Sequence, residues 1–513
     1  MRAALVAALT TALYSIGLSI SPPHLTHDEI KFALQAKSIA DSGRDLNGRL
    51  LPLYFIEPGF SVGRDPICIY VTALVLKVLP LSDSSIRLAT AIVGGIGVGL
   101  VFILGRLLFA DRLVAWLVAA VLALSPTYYI HSRLALSVLY PIPFTILWLT
   151  TLHRYLETRR PRDAWLAGGV LGAGVYSYLA AALMMPVYLT ATVVALSVRR
   201  DYRGARQASL GFILLMLPIA IWQIVEPDRY NNILSAYRLY DVTQSSPLET
   251  VRNLLSPAAL AARLHVYWDA LNPGRLFFTG ESSLQISTRE VGSLLTPVAV
   301  LLVVGIVTLC RAPRTALGGL LLFGLFSAPL PAVAMADVEI RRWLVFLPFV
   351  AAVSGFGIAR VLNAGTPGRT LIAVLMVVCG LQFATFLRDY FGPYRERSSA
   401  WFGGNIRSAL EQVLSDAARD APTAVYIASD VPWVEAYWRF YSAVHGQNLI
   451  ERTRYLSLQA REVPPADPGS VFVTPLLDET ARRALFDSGW ARQEVIADLD
   501  GRPSLMLLRP PPP

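Results

Sequence analysis

From the start of the chain to about residue 387, apolar runs alternate with short polar connections. A helix that spans a bilayer needs about 20 predominantly apolar residues. Stretches near that length run from Ala3 to Ile20 and over about 86–109, 113–130, 138–156, 164–180, 182–198, 208–225, 291–310, 316–334, 343–360 and 370–387, about eleven in all. The first lacks a small-residue cleavage site before Pro22 and is followed by further spans, so it reads as a retained helix. Another apolar run, Pro66 to Pro80, is shorter and contains Lys77.

Arginine placement decides how that short run is read. Arg106/Arg112, Arg159/Arg160/Arg162, Arg199/Arg200/Arg203/Arg206, Arg311/Arg314 and Arg360/Arg369 all lie in connections. Cytoplasmic connections collect Lys and Arg. All five groups fall on the cytoplasmic side, together with the N-terminus, if Pro66–Pro80 lies on the outer surface as a juxtamembrane helix. Two large external loops follow from this, over about 21–85 and 226–290, with short ones at His131–Ser137 and Met335–Arg342.

After about residue 387 the pattern changes. Ala424–Ile427, Val471–Val473 and Ser504–Arg509 read as strands, and stretches near 432–445 and 478–489 as helices. The expected organisation is a transmembrane domain over 1–387 and an external, periplasmic α/β domain over 388–513. The fold class is thus an α-helical polytopic membrane protein with a small soluble C-terminal α/β domain. No internal repeat is visible, which argues against inverted-repeat transporters.

Composition agrees with this reading. Of 513 residues 54% are hydrophobic and 16% charged, and the mean hydropathy is +0.50. Soluble domains carry about 25% charged residues, so an ordinary cytosolic enzyme, a disordered chain and a single-span receptor are excluded. The net charge of +9 resolves largely into the cytoplasmic arginines. Without aromatic interleaving these are topology determinants, so no nucleic-acid partner is expected. Cys68, Cys310 and Cys379 lie far apart, which suggests neither a disulfide framework nor a cysteine metal site.

The densest polar cluster follows the first helix: His24, Thr26, His27, Asp28 and Glu29. Adjacent carboxylates at the external mouth of a bundle suit a general base and a neighbouring polar contact. They also suit the N-terminus of a helix, where the macrodipole favours negative charge. An amphipathic helix fit for the membrane surface follows, with Phe32, Ala33, Ala36, Ile39 and Ala40 on its apolar face. His24, His27 and Asp28 together offer one arrangement for a divalent metal, although hydrogen bonding within a polar loop explains them as well. The sequence requires no cofactor.

The order of these features, with Gly48, Pro52, Gly59, Asp65-Pro66, Ser84–Ala89, Gly105–Phe109, Leu124–Pro126 and His131–Arg133, resembles the GT-C superfamily of polyprenyl-phosphate-dependent glycosyltransferases. Within it, the branch of protein O-mannosyltransferases and the lipid A aminoarabinose transferase is the nearest in pattern. Gly172, Tyr176, Tyr178, Pro186, Leu276–Glu281, Arg341–Leu344, Pro348 and Asp389–Phe391 continue the match over roughly residues 1–390. The resemblance implies a GT-C fold with juxtamembrane helices and a sugar donor carried on a polyprenyl phosphate. The acceptor would be a lipid, glycan or protein at the external face of a bacterial inner membrane. It also implies an inverting displacement in which Asp28 is the catalytic base and Glu29 its neighbour. Arg133 matches an arginine of the second external loop, and Arg341 or Arg342 the basic position of the last one. Arginines at helix ends suit a phosphate diester.

Some positions depart from the family pattern. Asp65, preceded by Arg64, stands where relatives often carry His or Lys, and Ser137 stands where an acid is common. Asp65 or Glu281 is then the available second carboxylate. Tyr176 and Tyr178 fit stacking on a sugar, as well as an interfacial belt. Arg341 and Arg342 fit phosphate binding, with Asp337 and Glu339 as competing ion-pair partners. Gly94-Gly95 and Gly168-Gly169, inside apolar spans, fit close helix packing. The rival reading is a lipid or sugar transporter or flippase, which calls for polar groups deep within several spans. A third is a non-catalytic assembly protein.

Overall fold

The computed structural model describes residues 1–56, 63–225, 252, 256–311, 315–458 and 462–511. Much of the expected loop 226–290, with Gly59 and Arg314, lies outside these residues. Helices occupy all eleven expected stretches. The first ten helices are α1 (Arg2–Ser15), α2 (His27–Ser42), α3 (Pro66–Leu76), α4 (Asp83–Leu108), α5 (Arg112–Ala123), α6 (Pro126–His131), α7 (Pro141–Thr158), α8 (Pro161–Gly174), α9 (Leu179–Val198) and α10 (Tyr202–Val225). A small hairpin, β1 (Phe55–Ile56) and β2 (Gly63–Arg64), precedes α3. Then come α11 (Pro257–Ala270), α12 (Thr296–Arg311), α13 (Ala316–Ser327), α14 (Leu330–Met335), α15 (Phe346–Leu362) and α16 (Thr366–Phe391).

Among the described residues, α4, α9, α10, the run Ala316–Met335 and α16 are each long and apolar enough to cross a membrane. The other expected spans are shorter or broken for local reasons. The stretch 113–130 divides because α5 stops at Ala123, and Ser125 then caps a new helix with Pro126 in its first turn. The run Pro66–Pro80 is a short apolar helix ending at Leu76.

Glycines set the tightest crossings. A Cβ at Gly168 of α8 would collide with the Ala208 carbonyl of α10, and one at Gly172 would lie 2.8 Å from the Phe212 carbonyl. Gly169 is looser, with its nearest neighbour at 3.7 Å. In α4, a Cβ at Gly99 would stand 3.0 Å from the Ala3 carbonyl of α1. Two of the arginine-rich connections meet where Arg159 pairs with Asp201 at 2.5 Å and Tyr155 donates to the same carboxylate at 2.8 Å.

Beyond α16 come α17 (Pro393–Ser398), α18 (Ile406–Ala417), β3 (Val425–Ala428), α19 (Val434–His445), β4 (Thr453–Leu456), β5 (Val471–Pro475), α20 (Glu479–Asp487), β6 (Arg492–Ala497) and β7 (Pro503–Arg509). The sheet order is β4-β3-β5-β7-β6, with β3 parallel to β4 and β5, and β7 antiparallel to β5 and β6. Alternation along the strands divides the side chains between two faces. Val425, Ile427, Val471, Val473, Leu505 and Leu507 join the core that includes α18 and α19, whereas Tyr426, Phe472 and Leu508 pack with Leu485 and Trp490.

This sheet domain is seated on the loop that follows α1. Tyr437 donates to the Leu25 carbonyl at 2.8 Å, and Arg407 pairs with Asp83 of α4 at 2.8 Å. His24 Nε2 lies 2.7 Å from Ser399 Oγ and 3.4 Å from Asp498 Oδ1, and Ser399 also donates to Asp498. Burial works against ionisation of Asp498. The hydrogen bonds from His24, Ser399 and the Leu499 amide outweigh it and hold the carboxyl below its ordinary 3.8.

Candidate active site

Thr26 opens α2 with a capping box: its hydroxyl accepts from the Glu29 amide at 3.2 Å, and Glu29 Oε2 accepts from the Thr26 amide at 2.9 Å. That geometry turns the adjacent carboxylates in opposite directions. Glu29 is fully buried, and its Oε1 takes Arg87 Nε at 2.9 Å and the Ala135 amide at 3.0 Å. Asp28 is 38% exposed, beside His27 Nε2 at 3.5 Å. Glu29 is therefore the inward-facing hub of the pair, and Asp28 faces the opening.

Arg87 donates further to the carbonyls of Leu18 (3.0 Å), Pro22 (2.9 Å) and His24 (2.6 Å). Arg133 acts similarly. Buried against Tyr129, Tyr390 and Phe391, it donates to the carbonyls of Tyr14 and Ile16 (both 2.6 Å), Gly17 (2.9 Å) and Ser21 (2.7 Å). Two buried guanidiniums thus supply donors to the carbonyls of a tight loop, most of which make no backbone turn bond of the kind that Gly17 accepts from Ile20 and Ser21. As placed, the terminal nitrogens of Arg133 serve this backbone.

Asp65 ends the segment before α3 and accepts from Ser137 Oγ at 2.6 Å. Glu29 holds Ala135 and Asp65 holds Ser137, two residues further along, so both carboxylates bind one short loop, within about 7 Å of chain. The two departures from the family pattern, Asp65 and Ser137, are therefore partners. Arg64 lies in β2, and its side chain is outside the described ones.

A second group of charges surrounds the start of α9. Arg342 donates to the Tyr178 hydroxyl at 3.0 Å and pairs with Asp337 at 2.7 Å. Arg341 Nε lies 2.5 Å from Glu339 Oε2 but without hydrogen-bond alignment, so a buried donor is left unsatisfied. Glu281 is buried against Arg275 and senses Glu339. Its carboxyl is raised by burial, which Arg275 partly offsets. Tyr176 donates to the Leu215 carbonyl at 2.7 Å, a structural bond at the α8–α10 crossing.

From the neighbourhood of Tyr178 an apolar groove of about 660 Å³ runs between α9 and α13, from Ala182 to Arg199. On α9 that is roughly 25 Å of helix at 1.5 Å per residue. His24 is directed to Ser399 and Asp498, so His24, His27 and Asp28 do not converge, and among the described residues no group of three His, Cys, Asp or Glu is arranged to hold a metal ion.

Two contributors had no role assigned from the sequence, although Arg87 stands within the Ser84–Ala89 match. Arg87 carried a signal, because a lone arginine at the start of an apolar span is costly unless paired inside the bundle. Trp433 stacks on His27 with ring centres 5.1 Å apart, and nothing in the C-terminal sequence marks it out.

Among the described residues, long apolar helices, a partly exposed carboxylate at the start of α2, two adjacent arginines near Tyr178 and a seated sheet domain together have the make-up of a polytopic membrane protein. The family model described as dolichyl-phosphate-mannose-protein mannosyltransferase matches residues 63–222. The crystal structure of ArnT from Cupriavidus metallidurans bound to undecaprenyl phosphate aligns with a TM-score of 0.53 and 14% identity, over 98% of this chain and 97% of that one. The oligosaccharyltransferase AglB from Archaeoglobus fulgidus, in complex with an inhibitory peptide and a dolichol-phosphate, aligns at 0.49 and 14% identity over 90% of this chain and 65% of that one. No curated protein matches the chain. The expected resemblance is thus met by the family model over residues 63–222 and by the fold, which is like that of ArnT along nearly the whole chain.

Proposed function

We propose that this protein is an integral-membrane glycosyltransferase that moves a sugar from a polyprenyl-phosphate donor to an acceptor in the cell envelope. The observations that support the reading are Asp28, 38% exposed at the first turn of α2, and Arg342, bonded to Tyr178 just before α9, the helix that lines the α9–α13 groove. In this reading the prenyl tail lies in the groove and the donor phosphate displaces Asp337 and Glu339 from Arg341 and Arg342. Asp28 takes the proton of an acceptor hydroxyl. The acceptor oxygen bonds to the anomeric carbon from the face opposite the phosphate, the carbon–oxygen bond to phosphate breaks, and polyprenyl phosphate leaves with its charge held by the guanidiniums. The anomeric configuration inverts. Glu29, Arg87 and Arg133 fix the loop that leads into α2 and Asp28, while Asp65 or Glu281 serves as the second carboxylate near the sugar.

The arginine-rich connections orient the site and the C-terminal domain toward the outside of a bacterial inner membrane, with the N-terminus cytoplasmic. The test is mass spectrometry of envelope lipids and glycans from cells with the gene, without it, and with Asp28→Asn. One glycoconjugate should lose a single sugar both in the deletion and in the variant. Unchanged glycoconjugates, or flux of lipid or sugar through proteoliposomes without product, would favour a transporter instead.

A further inference from the structure

Trp433, just before α19, packs against α2. Its backbone sits at φ 60°, ψ 16°, a left-handed conformation unfavourable for a bulky side chain. Its ring stacks within 9° of parallel on His27, the neighbour of Asp28, and Lys31 Nζ lies 3.6 Å from its centre. Beside it, between α2 and α19, opens a cleft of about 350 Å³ whose lining includes Lys31, Leu34, Ser429, Trp433, Glu435 and Arg439. Asp28 and Lys31 are three residues apart on α2 and share a face. Through Lys31 the cleft therefore opens within one turn of α2 of the proposed base, and it shares no lining residue with the α9–α13 groove.

We propose that this cleft is the acceptor subsite and that it binds a saccharide, an inference that rests on the glycosyltransferase reading above. The volume is at the small end of ligand pockets, which run from about 300 to 1,000 Å³. The lining is mixed in the manner sugars require. Trp433, 41% exposed although His27 and Lys31 pack on its ring, offers its remaining aromatic surface to the C–H groups of a sugar. Glu435 and Arg439, both exposed, offer a carboxylate and a planar guanidinium for paired hydrogen bonds to hydroxyls. A prenyl or acyl tail would leave these charges without partners, whereas the α9–α13 groove meets that need. The C-terminal domain thus completes the site instead of merely covering it.

The test uses the full chain in lipid nanodiscs and methyl glycosides of hexoses and N-acetylhexosamines as probes, read by saturation-transfer NMR. At least one glycoside should receive saturation from the wild type, with its Kd raised fivefold or more by Glu435→Gln and by Arg439→Gln, two surface changes that spare the fold. In transfer assays the same changes should raise the acceptor KM more than they lower kcat. No saturation of any glycoside, or an unchanged Kd in both variants, overturns the proposal. Undecaprenyl phosphate binding on the same samples separates the two claims. Donor binding without glycoside binding removes the cleft alone, and absent donor binding in the wild type removes the glycosyltransferase reading and the acceptor role with it.

Discussion

Replacing Arg87 with Met tests whether the loop that leads into α2 and Asp28 is held from within the bundle. Arg87 is 1% exposed, and its guanidinium meets Glu29, itself fully buried, at 2.9 Å. Solvent screening is therefore minimal. Removing one member of such a pair leaves a buried charge without its counter-ion, which costs about 3–5 kcal/mol. The carbonyls of Leu18, Pro22 and His24 lose a donor as well. These losses overlap and are not added. Because a buried pair replaced as a whole by apolar groups is often near neutral, Arg87→Met/Glu29→Met should lie well below the sum of the two single costs. A coupling of about 2 kcal/mol or more is expected. Unfolding in mixed detergent and SDS micelles, followed by tryptophan fluorescence, measures the cycle. A cost below about 1 kcal/mol for Arg87→Met, or singles that add within about 0.5 kcal/mol, would refute the reasoning.

Arg341→Gln and Arg342→Gln should each weaken binding of undecaprenyl phosphate in nanodiscs roughly tenfold or more, from the loss of about 1.5–3 kcal/mol per charged hydrogen bond; unchanged affinity in both would detach the arginines from the phosphate. Gly168→Leu should destabilise the α8–α10 crossing by about 1–3 kcal/mol, while Gly169→Ala, with its nearest neighbour 3.7 Å away, should cost far less; equal melting temperatures for the two would contradict the packing argument. The Asp498 carboxyl is held below its ordinary 3.8, so its contribution is present above that value and disappears as the pH falls through the lower folded value. Asp498→Asn should therefore lower the melting temperature at pH 7, and the gap to wild type should close in strong acid; a gap that widens with acid would reverse the sign.

The positions of the eleven helical stretches were legible because each is an apolar run, yet their lengths were not. Breaks such as Ser125-Pro126 lie within the runs and leave the average hydropathy high. In the C-terminal domain, β3, β5 and β7 were found from apolar residues that are buried in the sheet. The strands missed, β4 and β6, form the two edges, where polar side chains such as Arg454 and Glu494 interrupt the signal. At the start of α2, residue chemistry alone does not separate Asp28 from Glu29, and only the family resemblance casts Asp28 as the base. Their division into an outward and an inward carboxylate comes from the capping box and from Arg87, 58 residues away in the chain. The pairing of Asp65 with Ser137, and the stacking of Trp433 on His27, are likewise contacts between distant segments that no local pattern announces.

The central claim, that Asp28 is the base of a glycosyl transfer from a lipid phosphate, is tested most directly in proteoliposomes containing the purified protein, the envelope acceptor identified by mass spectrometry and the matching polyprenyl-phosphate sugar. Wild type should release polyprenyl phosphate and glycosylated acceptor in equal amounts. Asp28→Asn, folded and still binding the donor, should transfer at least about 100-fold more slowly, the scale of general-base catalysis. Transfer at the wild-type rate in that variant would contradict the account.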